Sequence, residues 1–363
     1  MKLRLFIHYL LLGTLSLACS TNDKVSDSIP DDAVLEMYFP PKGSNSWETL
    51  SLTRLEWNEP ALDPLLEFLE NSNTSTFIIL YKGRIVVEQY FNGATSSSNL
   101  PWFSAGKTLT AFMVGIARKD GFLNLSDPSS EFLGSGWSSL TPQQEEAISI
   151  VHHLNMTTGL DYSGNGFCTD PECLQYLHPP GDFWYYHNAP YTLLQDIVSA
   201  ASGESFNSYF DETLSSPIGM QGQWIPSGYN KFYFSNARSM ARFGLLCLNI
   251  GVWDGTVILN DQQYFTEMTT PSQQLNRAYG YLWWLNGMSN FRVPGSVEQF
   301  SGALIPNAPD DLIAGLGAND QKLYIVPSRE LVIVRQGGDG GEVLLGPSSY
   351  DNQLWSYLSD LIN

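Results

Sequence analysis

From Ser75 to Phe91, the stretch STFIILYKGRIVVEQYF sets two runs of apolar and β-branched residues on either side of Lys82-Gly83. Two such runs with a two-residue break containing glycine predict a β-hairpin. Near the other end, KLYIVPSRELVIVRQGG repeats the design with Pro327-Ser328-Arg329 at the turn. The final stretch, YDNQLWSYLSDLIN, carries Leu354, Leu358 and Ile362 at helical spacing and predicts a closing amphipathic helix. Between the hairpins, apolar positions follow helical spacing over 105–120, 190–202 and 237–250, joined by long loops rich in Gly, Pro and aromatics.

Strands at both ends with helices between them predict one antiparallel sheet built from the N- and C-terminal segments. This is an α/β (α+β) fold, with helices on both faces of the sheet and a mostly helical middle region over about 110–275. The junction between sheet and helical region is a natural cleft. The helix that starts near Ser104 follows the first hairpin directly, which places its N-terminus at that cleft.

A chain of 363 residues, 43% hydrophobic and 13% aromatic, has the material for a large core. Its net charge of −19 argues against a nucleic-acid partner, because little is available to neutralise phosphate. The opening MKLRLFIHYLLLGTLSLACS joins a short basic start to an apolar run too short for an ordinary membrane span, and reads as an export signal over 1–19. Leu17-Ala18-Cys19 resembles a bacterial lipoprotein box, although Ser16 stands where an aliphatic residue is usual. Lipidation of Cys19 and a body in the periplasm or at the cell surface, held to the outer membrane by that lipid alone, are the expectation; plain cleavage is the alternative. Residues 20–48 read as tether and irregular lead-in, and 49–363 as the folded domain. In an oxidising compartment Cys168 and Cys173, which flank a Pro-containing turn, are either disulfide-bonded or free. Cys247, in an apolar run, reads as a core thiol.

The chemistry begins at WFSAGKTLTAFMVGIARKDG, where Ser104 stands three residues before Lys107. Of the eight lysines in the chain, only Lys107 has a serine at that spacing. Residues at i and i+3 share a helix face, and Leu109, Phe112, Met113 and Ile116 on the other side would bury this helix. A lysine buried near a helix N-terminus is disfavoured as an ammonium by desolvation and by the helix dipole. Moving its pKa from about 10.4 to about 7 takes roughly 4–5 kcal/mol of such penalty. The neutral amine is then a base for the Ser104 hydroxyl. Taken alone, the pair reads equally as an N-cap serine followed by a lysine reaching for solvent.

A second element decides between these. Tyr186-His187-Asn188, in PPGDFWYYHNAPYTLLQDIVSAASG, resembles the Tyr-x-Asn element of the serine β-lactamase and penicillin-binding-protein superfamily, in its class C β-lactamase-like branch. GFLNLSDPSSEFL, HHLNMTTGLDY and YGYLWW resemble other stretches of that family in the expected order, from about residue 50 to the C-terminus. The resemblance implies that Ser104 is an acylated nucleophile, Lys107 its base or proton carrier, and Tyr186 a phenol exchanging protons with Ser104 and the leaving group. Asn188 would hold the substrate carbonyl or Lys107. A phenol beside an ammonium is expected to be shifted down.

The family's third element departs from its pattern. The matching strand reads LIAGLGANDQKLYIVP, with Gly315-Leu316-Gly317 where relatives carry Lys-Thr-Gly or His-x-Gly. The backbone beyond Gly317, at Ala318, still offers an N–H to an oxyanion beside that of Ser104, but no cation is present for a substrate carboxylate. The expected activity is therefore cleavage of a small-molecule ester or amide through an acyl-enzyme, esterase before β-lactamase or D-amino-acid peptidase, with no cofactor and no metal. The alternative is a non-catalytic binding or sensor protein on the same fold. No G-x-S-x-G elbow is present for a Ser-His-Asp hydrolase. Among the remaining candidates, His187 reads as a solvated loop residue, while His152 and His153, adjacent on a helix, read as structural. His178 carries no signal. Tyr185, Trp283 and Trp284 read as core before pocket lining.

Overall fold

The computed structural model of the protein describes residues 34–341, 347 and 349–363. The export signal over 1–19 and the Cys19 lipidation site lie outside the described residues. Among the described residues no helix is long and apolar enough to cross a membrane.

Six strands form one antiparallel sheet in the spatial order Arg84–Tyr90, Thr74–Tyr81, Leu331–Gly337, Gln321–Val326, Ile313–Gly317, Trp284–Leu285. The two hairpins therefore meet where Thr74–Tyr81 pairs with Leu331–Gly337, Ile79 opposite Ile333. Lys82 and Gly83 take φ of 47° and 81°, the left-handed pair that a two-residue hairpin turn demands. Pro327–Arg329 is a single 3₁₀ turn. Helices cover both faces, so the central strands read as apolar runs rather than alternating ones.

On one face the helices Leu62–Asn71 and Ser349–Ile362 pack together, Phe68 stacking on Tyr350 and Tyr357. The closing helix buries Leu354, Leu358 and Leu361, while Ile362 is only partly covered; the inward row turns at Leu361 because 3.6 residues per turn carries position 362 past the seam. The helix Ala237–Leu248 covers the other face.

The middle region is mostly helical, as expected, and carries a small sheet in addition. Leu100–Pro101, Gly222–Ser227 and Asn230–Ser235 form a second, three-stranded sheet. The helix Lys107–Lys119 is also buried on every side from Lys107 to Ala117, rather than along one stripe. Nor do residues 34–48 hang free: the Arg242 guanidinium bonds the carbonyls of Pro40 and Pro41, and Phe39 packs edge-on against Trp253. Cys168 and Cys173 are disulfide-bonded, and Cys247 is a buried free thiol.

Candidate active site

Ser104 does not sit on the α-helix itself. It lies in the 3₁₀ turn Phe103–Gly106, immediately ahead of Lys107–Lys119, and caps nothing. Trp102 anchors the turn: its backbone N–H donates to the Tyr233 carbonyl at 2.8 Å and its indole N–H to Ser235 Oγ at 2.8 Å. Phe103 then turns the chain with φ of 45°. A left-handed conformation at a non-glycine residue costs about 1–3 kcal/mol and persists only where its surroundings enforce it. Ser104 is left partly exposed beside the strand Ile313–Gly317.

Lys107 is completely buried. Its Nζ is hydrogen-bonded to Ser104 Oγ at 2.9 Å and donates to Asn188 Oδ1 at 2.8 Å. The ring faces of Tyr191 and Tyr186 close the space, their centroids 4.0 and 4.8 Å from Nζ. Burial drives the Lys107 pKa well below the ordinary lysine value, because the ammonium has been taken out of water with no carboxylate to pair with.

Tyr186 and Asn188 arrive at the start of the helix Asn188–Ser202. Tyr186 is fully buried, stacked on Trp284 with ring centroids 5.7 Å apart. Its pKa is raised by that burial, contrary to the sequence expectation of a phenol shifted down beside an ammonium. The Ser104 hydroxyl pulls the other way from close by, in a geometry short of a hydrogen bond: Tyr186 Oη is left without a partner. Desolvation of the phenolate outweighs that pull, which is why the direction is reversed. Asn188 spends its amide oxygen on Lys107, and its amide nitrogen has no protein partner among the described residues.

Gly317 and Gly315 explain why the third element is glycine-rich. A Cβ on Gly317 would stand 2.3 Å from the Trp102 carbonyl oxygen and 3.1 Å from the Ala105 nitrogen. Only a bare backbone lets the strand approach the Ser104 turn so closely. Ala318 begins the turn after that strand and is partly exposed. The neighbouring cations are committed elsewhere: Lys322 pairs with Asp320 and Asp351 at 3.0 and 2.8 Å, and the buried Arg335 guanidinium bonds backbone carbonyls and Thr74.

The histidines sort differently from expectation. His187 is buried, not solvated, with Nδ1 unpartnered, and desolvation pushes its pKa down to about 4. His153 is structural as expected: Nδ1–H donates to the Pro190 carbonyl at 2.7 Å and Nε2 faces Ser129 Oγ at 2.8 Å, with its pKa also pushed down to about 4. His152 Nδ1 accepts from the Ser149 backbone N–H. Trp283 and Trp284 are core, whereas Tyr185 stays partly exposed and stacks on Tyr162. Sequence reasoning passed over Tyr191, whose one signal was its place three residues after Asn188.

A family model described as Beta-lactamase matches residues 74–334. An uncharacterized protein of Alkalihalophilus pseudofirmus is 24% identical over 306 residues, covering 74% of this chain and 84% of its own length. Among solved structures, the octameric penicillin-binding protein homologue from Pyrococcus abyssi superposes with a TM-score of 0.59 at 16% identity, covering 83% of this chain and 76% of that one. A family VIII carboxylesterase superposes with a TM-score of 0.61 at 13% identity, covering 82% of this chain and 95% of that one.

Proposed function

The chain belongs to the beta-lactamase family, and from that premise we propose that it is a serine hydrolase that cleaves an uncharged ester, and more slowly an amide, through an acyl-enzyme on Ser104. The observation that carries this reading is the 2.9 Å contact between Ser104 Oγ and a lysine nitrogen buried without a counter-ion. Within the family we place it in the class C-like branch, on Tyr186-His187-Asn188 and its flanking stretches.

Lys107 is the acylation base. As a neutral amine it donates N–H to Asn188 Oδ1 and turns its lone pair to the Ser104 hydroxyl. The proton moves from Oγ to Nζ while Oγ attacks the acyl carbon. Tyr186, whose raised pKa keeps it a phenol, is suited to donate its proton to the leaving group and to be recharged from Lys107. The backbone N–H groups of Ser104 and Ala318 receive the oxyanion; such preorganised donors are each worth about 10²–10³ in rate. The amide nitrogen of Asn188 is free for the substrate carbonyl.

The strand Ile313–Gly317 carries no cation, and Lys322 and Arg335 are spent on internal partners. A substrate carboxylate would enter unpaired. Neutral acyl esters are therefore placed ahead of β-lactams and D-amino-acid peptides. We also propose export and anchorage through lipidated Cys19, read by incorporation of radiolabelled palmitate.

The activity is tested with a fluorophosphonate probe followed by a panel of short acyl esters, D-amino-acid amides and a chromogenic cephalosporin. Labelling of Ser104 with turnover of neutral esters is the expected result. An unlabelled protein would make this a binding or sensor protein, and preferred turnover of the cephalosporin would overturn the substrate class.

A further inference from the structure

We propose that Tyr191 is a positioning residue of the Ser104–Lys107 pair, its ring face holding the ammonium that Lys107 becomes on taking the Ser104 proton. The proposal rests on the acyl-enzyme reading above. The Tyr191 ring is 2% exposed and lies 4.0 Å from Lys107 Nζ, nearer than the Tyr186 ring at 4.8 Å. Tyr191 stands three residues after Asn188 on the same helix, and residues three apart share a face. One helical turn thus presents an amide oxygen and a π-face to the same nitrogen.

Proton transfer makes this arrangement consequential. The Ser104 O–H bond breaks, its electron pair forms the bond to the acyl carbon, and an N–H bond forms on Lys107. The new positive charge then sits in a dry pocket that holds no carboxylate. From the facing elements, the titratable groups around it are the phenols of Tyr186 and Tyr191, with Tyr279 beyond them, close enough to feel both. The strand Ile313–Gly317 brings none. Asp196, on the Tyr191 helix, points to exposed Lys231 at 3.6 Å. The helix Gln262–Met268 presents Tyr264 to the Ala111 carbonyl and Glu267 to Arg118. Stabilisation of the ammonium therefore falls to Asn188 Oδ1 and the two ring faces. An aromatic face is attractive to a cation through its quadrupole, and more so at a desolvated site. Tyr186 also has a proton to move; Tyr191 has no other contact with the reaction.

The experiment uses the full chain with lysines labelled with ¹³C at Cε, the Lys107 resonance being the one lost in Lys107→Arg. Its titration is followed in wild type, in Tyr191→Phe, and with phenylalanine at 191 carrying progressively more ring fluorines, which weaken the face at nearly constant volume. Tyr191→Phe should leave the Lys107 titration within about 0.3 units of wild type, because the face survives. Fluorination should lower it stepwise, by about 0.4–1.5 units in all, and fluorophosphonate labelling of Ser104 should slow in parallel. A titration that stays in place as fluorines are added overturns the proposal, as does a shift in Tyr191→Phe as large as that of the fluorinated rings. Wild-type protein that is never labelled would instead sink the acyl-enzyme reading, with the titration still deciding Tyr191.

Discussion

Gly317 lies so close to Trp102 that a side chain there would put its Cβ 2.3 Å from the Trp102 carbonyl oxygen. The contact joins the strand Ile313–Gly317 to the turn that carries Ser104, and neither partner is the far end of a flexible side chain. Gly317→Ala should therefore push strand and turn apart. Overpacking of this kind costs about 1–3 kcal/mol, and a displacement near 1 Å at a reacting group costs on the order of 10²-fold in rate. Gly315→Ala meets a side-chain methyl of Thr108 at 3.1 Å instead and should be milder on both counts. Parallel measurement of kcat/KM and Tm for the two variants checks this; equal activity in both would show that the approach at Gly317 does not hold the site.

Ser104→Ala should abolish turnover and leave the fold intact, since the hydroxyl caps no helix and its loss removes one hydrogen bond, worth about 0.5–1.5 kcal/mol. Lys107→Met should be equally inactive but more stable at acid and neutral pH. The buried amine has a depressed pKa, so between its folded value and about 10.4 the unfolded chain holds the proton and the folded chain does not; stability rises with pH across that window. The gain from Lys107→Met should be largest at low pH and fade as pH approaches about 10.4. Denaturant melts of both proteins across that range provide the comparison.

Activity should climb on a single limb as Lys107 loses its proton, at a pH well below that of a solvated lysine. Because burial raises the Tyr186 pKa, no fall should appear below pH of about 10 from loss of its proton. Tyr186→Phe should lower the plateau by roughly 10²–10⁴-fold without moving the limb. A pH–rate profile of kcat/KM on a neutral ester reads both features, and a limb that disappears in Tyr186→Phe would transfer the role of base to the phenol.

His153 and His187 are both buried with pKa values pushed down to about 4 from 6.5. Each binds a proton in the unfolded chain before the folded one, so stability is complete above pH 6.5 and falls as pH drops toward 4. The slope should approach about 1.4 kcal/mol per pH unit for each histidine. His187→Asn should remove its share of that slope at little cost, because Nδ1 has no partner to lose. His153→Asn should remove its share and also weaken the fold at every pH, because the bonds to Pro190 and Ser129 go with it.

Much of the fold was legible because its signals are local. Lys82-Gly83 can make a tight hairpin turn with no help from elsewhere in the chain. The pairing of Thr74–Tyr81 with Leu331–Gly337 follows from two apolar hairpins that must bury both faces. In the three-stranded sheet, Leu100–Pro101 is only two residues long and finds its partner more than a hundred residues later at Phe234 and Ser235. The local hairpin of Gly222–Ser227 with Asn230–Ser235 was missed because Pro226 interrupts its first apolar run.

Within the site, the amino-acid sequence by itself determined which groups are present and in what order: Ser104 with Lys107 at one helical turn's spacing, Tyr186 with Asn188 ahead of a helix, and glycines without a cation on the third element. Their states were decided only by the tertiary structure. Whether Lys107 is an amine, Tyr186 a phenol and His187 a buried neutral ring depends on how much water each has lost and which charges face it. Those quantities are sums over elements far apart in the chain, here the helix Asn188–Ser202 laid against Lys107, and Trp284 laid against Tyr186. The position of Tyr191 over Lys107 has the same origin, since a ring 84 residues away along the chain comes within 4.0 Å of the amine only when two helices pack.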